Sequence, residues 1–408
     1  MNCKRQPPSP IIFARLLVYN DFARMKKLFW LSSILLLVVL SLENCHPEPT
    51  GKPKTTNADP DSLYQGTKIR FDIISPNAAL LLGPTQTPYA DSLTVEGIQL
   101  GRRLFYDKHL SLDGHKACAS CHQLQYALAD SGYALSVNEF GHTKRNAMPL
   151  QNLAYAPMFF WDGRQPSIAA AAQDASQHEM GLPVTNALSY LEKDTTYVKL
   201  FKKAFGRPGN VSEGRIYLAI QEFLITAVTC NSHFDSVSLG ITQFTTAEFD
   251  VFNNMFNTEV GDCFHCHGNG ATQLMTTFAF QNNCLDSAAT IYDFKDPGRG
   301  GITGSSDDYG TFKTPTLRNV AVSGPYMHDG RFTTLQQVMN HYSDSLQFSP
   351  TINSFLKNHF HKDSLGLVDE QVGGLHLTAQ QKQEFIEFLN GFTDTSFMNN
   401  PNLKNPFQ

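Results

Sequence analysis

Cys118-Ala119-Ser120-Cys121-His122 and Cys263-Phe264-His265-Cys266-His267 are the two stretches from which the rest of the chain can be read. Both have the form C-x-x-C-H, the attachment signature of a c-type haem. The spacing has a direct chemical meaning. Two thiols three positions apart can bond the two vinyl groups of one porphyrin edge, and the histidine that follows can reach the iron as an axial ligand. A zinc site draws on the same residue types. It does not need His directly after the second Cys, yet here both motifs have it. The motifs predict two covalently bound haem c groups. Cys118, Cys121, Cys263 and Cys266 carry the thioether links, and His122 and His267 are the proximal ligands.

The chain around these motifs is that of an exported globular protein. It has 408 residues, 41% apolar and 17% charged, with Lys+Arg 32 against Asp+Glu 37 and a net charge of -5. Such values fit a folded chain rather than a disordered one, and without a basic excess nucleic acid is not an expected partner. The one long apolar run, LFWLSSILLLVVLSL at 28–42, follows Met25-Lys26-Lys27 and reads as a secretory signal. Residues 1–24 then form an upstream extension. Cys45 is either the lipidated cysteine of a lipoprotein or part of a cleaved leader, since Leu42-Glu43-Asn44 matches a lipobox poorly. A Pro-rich tether, HPEPTGKPKTT, follows at 46–56. The expected location is the periplasm, with or without a lipid anchor, where thiols meet oxidising conditions. Cys230 and Cys284 remain, and whether they pair is open at this level.

Helical patterns precede both motifs. Val95 to Phe105 places Leu100 and Leu104 on one face. Thr245 and Glu248 read as a capping box, with Phe249, Phe252 and Phe256 as a stripe behind it. Glu213 to Val228 carries Ile216, Ile220, Phe223 and Leu224 at helical spacing. Thr378 and Gln381 suggest a second capping box, followed by Phe385, Phe388, Leu389 and a stop at Gly391. Alternating strand patterns are scarce. A helix leading into each motif is a weak internal repeat. The expected fold is all-α, with two cytochrome c-like haem domains packed across an interface: leader to 45, tether 46–74, domains at 75–238 and 239–398.

More lies between and after the motifs. Arg145-Asn146-Ala147-Met148-Pro149-Leu150 leads to Phe160-Trp161-Asp162-Gly163-Arg164 and Glu179-Met180. After the second motif come Phe312-Lys313-Thr314-Pro315-Thr316-Leu317-Arg318-Asn319, Gly324-Pro325-Tyr326-Met327-His328-Asp329-Gly330 and Thr334-Leu335. With these segments in order, residues 75–395 resemble the bacterial di-haem cytochrome c peroxidase family, including its MauG-like branch. The resemblance implies a peroxidatic haem in the first domain and an electron-entry haem in the second. Peroxide chemistry needs a group that moves a proton between the peroxide oxygens so that water can leave. Glu179 matches the family's acid–base carboxylate, and an apolar surround would raise its pKa towards that task. The family's peroxide-assisting Gln is shifted in spacing here, which leaves Gln173 in doubt.

The resemblance assigns further roles. Trp161 would help electrons cross between the haems, a role favoured over the alternative of a core Trp packing the domain interface. His142 stands either as a displaceable ligand of the first haem or as an exposed loop His. Asn146 matches a calcium-binding Asn completed by carbonyls near Thr314 and Thr316, with a hydrogen-bonded loop Asn as the alternative. The distal ligand of the second haem falls on Tyr342, as in the MauG-like branch, ahead of Met339 three residues earlier. A Met ligand gives a high potential and a phenolate a lower one. Arg164 and Arg318 are expected to pair with propionates or carboxylates, and His328 to be structural. The implied activity is reduction of hydrogen peroxide with electrons from a donor such as a reduced cytochrome c. The rivals are a MauG-like oxidase and a plain electron carrier. Family members often form homodimers.

Overall fold

The computed structural model describes residues 66–408, apart from 131–134, 139, 207, 269 and 271–272. The leader, Cys3, Cys45 and most of the tether lie outside the described residues. Among the described residues no helix is long and apolar enough to cross a membrane. The described residues belong to one compact unit. It is mostly helical, and its strands are three antiparallel pairs of two residues each.

Helix α1 (Val95–Tyr106) starts where Thr94 Oγ1 accepts the Gly97 N–H at 3.0 Å, an N-cap that satisfies a free amide of the first turn. Its buried face is Gly97, Leu100, Gly101, Leu104 and Phe105. Burying each of the large side chains stabilises by roughly 1.5–3 kcal/mol. After α2 (Ile168–His178), α3 (Val184–Lys193) and α4 (Thr195–Phe205) comes α5 (Glu213–Ile225), the helix against which α1 packs. A Cβ on Gly101 would sit 1.8 Å from the Ala219 carbonyl oxygen, and one on Gly97 2.3 Å from Glu222 Oε2. Only glycine allows so close an approach. Helices α2 and α4 close on the same centre, and Tyr197, Phe201, Ile220 and Phe223 fill it. Helix α5 ends at Ile225, short of Val228, because Thr226 closes the last turn.

A second core gathers Phe234, Val251, Met255, Phe256, Leu335, Met339, Phe385 and Phe388. They come from α6 (His233–Ser238), the π-helical turn Val251–Phe256 that follows α7 (Thr246–Asp250), α8 (Leu335–Asp344) and α9 (Ala379–Asn390). The capping boxes at Thr245/Glu248 and Thr378/Gln381 form as their spacing predicts, and Ser232/Asp235 and Thr334/Gln337 form others at the starts of α6 and α8. The Phe stripe behaves otherwise. Helix α7 runs directly into a π-helical turn, Val251–Phe256. The wider turn rotates the face, so Phe249 is 58% exposed while Val251, Met255 and Phe256 are buried. A smaller cluster holds Cys284, Leu346, Leu356 and Phe360. Cys230 and Cys284 are free thiols buried in different clusters. They form no disulfide. Cys230 Sγ lies 3.3 Å from Ser75 Oγ.

A buried polar network ties the two halves together. Arg318, fully buried, meets Asp235 through both carboxylate oxygens at 2.9 and 2.6 Å and donates to the Gln273 and Thr229 carbonyls. Beside it, Asn319 Nδ2 donates to Gln151 Oε1 at 2.6 Å, and Gln151 Nε2 donates to the Arg318 carbonyl at 2.6 Å.

Candidate active site

The first motif forms one helical turn, Cys118–Cys121, in which Ser120 Oγ accepts the Ala117 N–H at 3.0 Å. His122 follows the turn. Ala127 and Leu128 both take left-handed backbone, with φ of 56° and 61°. This folds the loop back so that Leu128 offers its carbonyl to His122 Nδ1 at 2.9 Å. At the second motif Met275, with φ of 51°, does the same for His267 at 3.3 Å. A carbonyl can only accept, so Nδ1 carries the hydrogen and the Nε2 lone pair is available to a metal. Burial holds both imidazoles below their usual range, His267 at about 4, which keeps them in the neutral, ligating form. The thiols of Cys118, Cys121, Cys263 and Cys266 are all free. Paired thiols beside an oriented neutral imidazole are the donor set that a haem c requires, and it occurs at both motifs.

Glu179 is the C-cap residue of α2. Its side chain is 38% accessible and lies 3.8 Å from an Arg164 nitrogen. Its charge is felt by the Cys121 thiol, as is that of Asp130. Burial raises the Glu179 pKa, Asp174 adds to the rise, and Arg164 and His178 oppose it. Arg164 stacks over the Phe160 ring at 3.5 Å and is shared between Asp174 and Asp162. Thus α2 ends in a partly buried carboxyl whose pKa burial raises and whose charge reaches the Cys121 thiol. Gln173 turns to another face of α2 and donates to Glu213 Oε1 at 2.7 Å.

Trp161 is buried and held from both sides. Its Nε1–H donates to the Asn146 carbonyl at 2.9 Å, and its own carbonyl accepts the Lys313 N–H at 2.7 Å. Arg145 clamps Asp162 (2.5 Å) to Asp296 (2.7 Å) alongside. Asn146 is buried, and its N–H donates to the His328 carbonyl at 2.7 Å. His328 stacks on Phe312 at 3.7 Å. Trp161 therefore lies where residues of the first half meet those that follow the second motif. Tyr342 is partly buried and packs against the cluster of Cys284, its phenol pushed up by burial and, less, by the thiols of Cys266, Cys263 and Cys284. Asn283 Nδ2 donates to Tyr342 Oη at 3.4 Å and lies 3.2 Å from Met327 Sδ. Met339 is packed in the second core. His142 is exposed on the hairpin Val137–Asn138/Gly141–His142, its Nδ1 at 3.1 Å from the Leu135 carbonyl.

A family profile described as di-haem cytochrome c peroxidase matches residues 95–243. The methylamine utilization protein MauG of Methylorubrum extorquens is 31% identical over 277 residues, covering 66% of this chain and 75% of that protein. The cytochrome c551 peroxidase of Nitrosomonas europaea is 32% identical over 250 residues, covering 59% and 71%. The chain belongs to the di-haem cytochrome c peroxidase family. Among solved structures, a MauG-like protein associated with microbial copper homeostasis superposes with a TM-score of 0.66 at 28% identity, covering 80% of this chain and 97% of that one.

Several features of this di-haem peroxidase chain escape the motif reading. Phe159-Phe160-Trp161-Asp162-Gly163-Arg164 and Tyr326-Met327-His328-Asp329-Gly330-Arg331 fold alike. Each closes a β-bridge, Phe159 to Gln165 and Tyr326 to Phe332, over a left-handed residue, Phe160 and Met327. Trp161 and His328 are thus equivalent positions, and Asn146 is bonded by both segments. The repeated Asp-Gly-Arg was the available signal. Asn283 and Asp130 gave none, because each acts through a contact made by folding. Lys313 is buried, donates to the Met158 carbonyl at 2.8 Å, and has its pKa lowered to about 8.

Proposed function

We propose that this chain reduces hydrogen peroxide to water with electrons from a small donor protein such as a reduced cytochrome c. In this reading residues 75–238 form the peroxidatic haem domain and 239–398 the electron-entry domain, packed across the interface that contains Trp161. When bound, the first haem supplies an iron at which the peroxide O–O bond is broken with electrons relayed from the second. The chain's own residues do the rest. Glu179 takes a proton from one peroxide oxygen and returns it to the other, a role that suits a carboxyl whose pKa burial has raised. Arg164 keeps that carboxyl oriented and ionisable. His122 and His267 are held by the Leu128 and Met275 carbonyls, and Trp161 lies on the electron route. The observation that carries the reading is the Glu179 carboxyl, raised in pKa by burial and felt by the Cys121 thiol of the first C-x-x-C-H turn.

The finer assignments follow the same reading. Tyr342 would be the distal ligand of the second haem ahead of Met339, a reading supported by the influence of the Cys266 and Cys263 thiols on its phenol and by the packing of Met339 in the second core. That feature also favours a second reading, a MauG-like oxidase that acts on a protein or small molecule. Asn146, with the Thr314 and Thr316 carbonyls, is the oxygen donor set for a calcium ion. His142 caps the first iron only in a form whose hairpin folds inward. The mature chain is exported to the periplasm, either free or anchored at Cys45.

Glu179→Gln tests the assignment. Loss of a general acid–base group should lower peroxide-dependent oxidation of reduced cytochrome c by about 10²–10⁴-fold, with both haems still attached by mass. Unchanged turnover removes Glu179 from the mechanism. A parent holoprotein that consumes no peroxide is an electron carrier, and one that consumes it without oxidising cytochrome supports the oxidase.

A further inference from the structure

The turn that feeds the second motif carries a donor cluster that the peroxidase chemistry does not use. Asp262 stands immediately before Cys263 in left-handed backbone, with φ of 51°. Its N–H donates to the Thr258 carbonyl at 2.9 Å, and the Gly261 N–H donates to the Met255 carbonyl at 3.0 Å, which pins the turn to the second core. The Asp262 side chain is wholly enclosed, and its two oxygens face different imidazoles. Oδ1 lies 2.5 Å from Nδ1 of His265, inside the motif. Oδ2 lies 3.1 Å from Nε2 of His359, on the short helical turn Leu356–His359. Phe355 stacks on His265 at 3.5 Å and fixes its ring. Among the described residues no Arg or Lys pairs with Asp262. Glu259, exposed, completes the group: one donor atom each from Glu259, Asp262 and His265 lie within 4.8 Å of one another.

A buried carboxylate is normally paired with a fixed cation or bound to a metal, and here no fixed cation is paired with it. The spacing suits the second case. Ligands held about 2.0–2.2 Å from one ion stand roughly 3–3.5 Å apart. Asp262 and His265 are already near that separation, joined by a proton that a metal ion would displace. Glu259, at the surface, closes the remaining gap by a rotamer change. His359 plays the outer part. A carboxylate oxygen only accepts, so Nε2 carries the hydrogen and holds the second Asp262 oxygen in place. Two carboxylates and an imidazole suit a divalent first-row ion such as Zn²⁺, with water in the open positions. The cluster is also coupled to the haem attachment, because the charge of Asp262 acts on both the Cys263 and the Cys266 thiol.

We propose that Glu259, Asp262 and His265 form a divalent-metal site on the second haem-binding turn, with His359 as its positioning residue, and that an ion bound there raises the midpoint potential of the second haem. The site takes Zn²⁺ or an ion of similar size and borderline softness. Binding puts a doubly charged ion where a proton joined Asp262 to His265, and that proton leaves to solvent, so the net gain is one positive charge. Positive charge beside the turn that carries the thioethers favours the reduced haem, which bears one positive charge fewer than the oxidised one. The site goes beyond the peroxidase reading and holds whichever activity the two haems support.

The test uses the chelator-treated, haem-loaded full chain. Titration calorimetry should find one Zn²⁺ bound per chain, which a chelator removes again. Glu259→Gln, a surface change that leaves the fold intact, should weaken binding by about 100-fold or more, as should His265→Gln, and His359→Gln by about 10–100-fold as an outer partner does. In potentiometric titration Zn²⁺ should raise the midpoint of the second haem in the parent and leave it unmoved in Glu259→Gln. A parent that binds no Zn²⁺ overturns the proposal. So does binding that neither Glu259→Gln nor His265→Gln weakens, which puts the ion elsewhere, and so does binding that leaves the second midpoint where it was. Peroxide turnover enters none of these readouts, so failure here and failure of the peroxidase reading are separate results.

Discussion

Asp235→Asn isolates the charge at the centre of the molecule. Arg318 is entirely enclosed, with side-chain accessibility of 0% against 1% for Asp235. Its guanidinium makes four hydrogen bonds, two of them to this carboxylate. Asn keeps the shape of Asp and can still accept from Ser232, which Asp235 also caps. It loses the negative charge, however, and turns an amide donor towards another donor. Removing one partner of a buried ion pair costs about 3–5 kcal/mol, well beyond the cost of about 1 kcal/mol for a lost helix cap. In a unit of this size the melting temperature should fall by roughly 4–7 °C. Thermal unfolding of the holoprotein, followed by far-ultraviolet circular dichroism, measures the fall. Replacing both partners, Arg318→Met with Asp235→Leu, should recover part of the loss, because no charge is then left unpaired. A single variant that melts with the parent refutes the claim that this buried pair stabilises the fold.

Other perturbations follow from named groups. The peroxidase rate should decline on the acid side as Glu179 takes up its proton, and Arg164→Gln should move that limb to higher pH, since Arg164 is what opposes the rise of the Glu179 pKa. The pH profile of kcat/KM reads both. Glu222 is buried between α5 and α1 and its pKa is pushed up to about 7 from 4.5 by burial. Its folded form keeps a proton that the unfolded chain releases, so stability is full below pH 4.5 and declines as pH rises towards 7, by on the order of 3 kcal/mol. Glu222→Gln should flatten the dependence of melting temperature on pH, and an unflattened curve discards the assignment. Tyr342→Met should raise the midpoint potential of the second haem while Met339→Leu leaves it in place. Potentiometric titration with optical detection separates the two, and the opposite pattern gives the ligand role to Met339.

Much of the site could be read in advance because haem attachment is a local code. Two thiols and an imidazole must occupy adjacent positions on one turn, so Cys118 to His122 and Cys263 to His267 declare themselves in sequence. Capping boxes are local for the same reason, and Thr245/Glu248 and Thr378/Gln381 formed as spaced. The Phe stripe at 249–256 misled because a π-helical turn changes the residue count per turn, and nothing in apolar spacing announces it.

Which residues bear on the chemistry from a distance was settled by folding. The carbonyls of Leu128 and Met275 orient the His122 and His267 imidazoles only because left-handed residues turn their loops back. Asn283 reaches Tyr342, and His359 reaches Asp262, across chain separations that no pattern spans. Covalent and single-turn geometry is fixed by neighbours along the chain. Proton affinity and hydrogen-bond partnership depend on burial and on what packing brings near, and these exist only once the helices have closed on their cores.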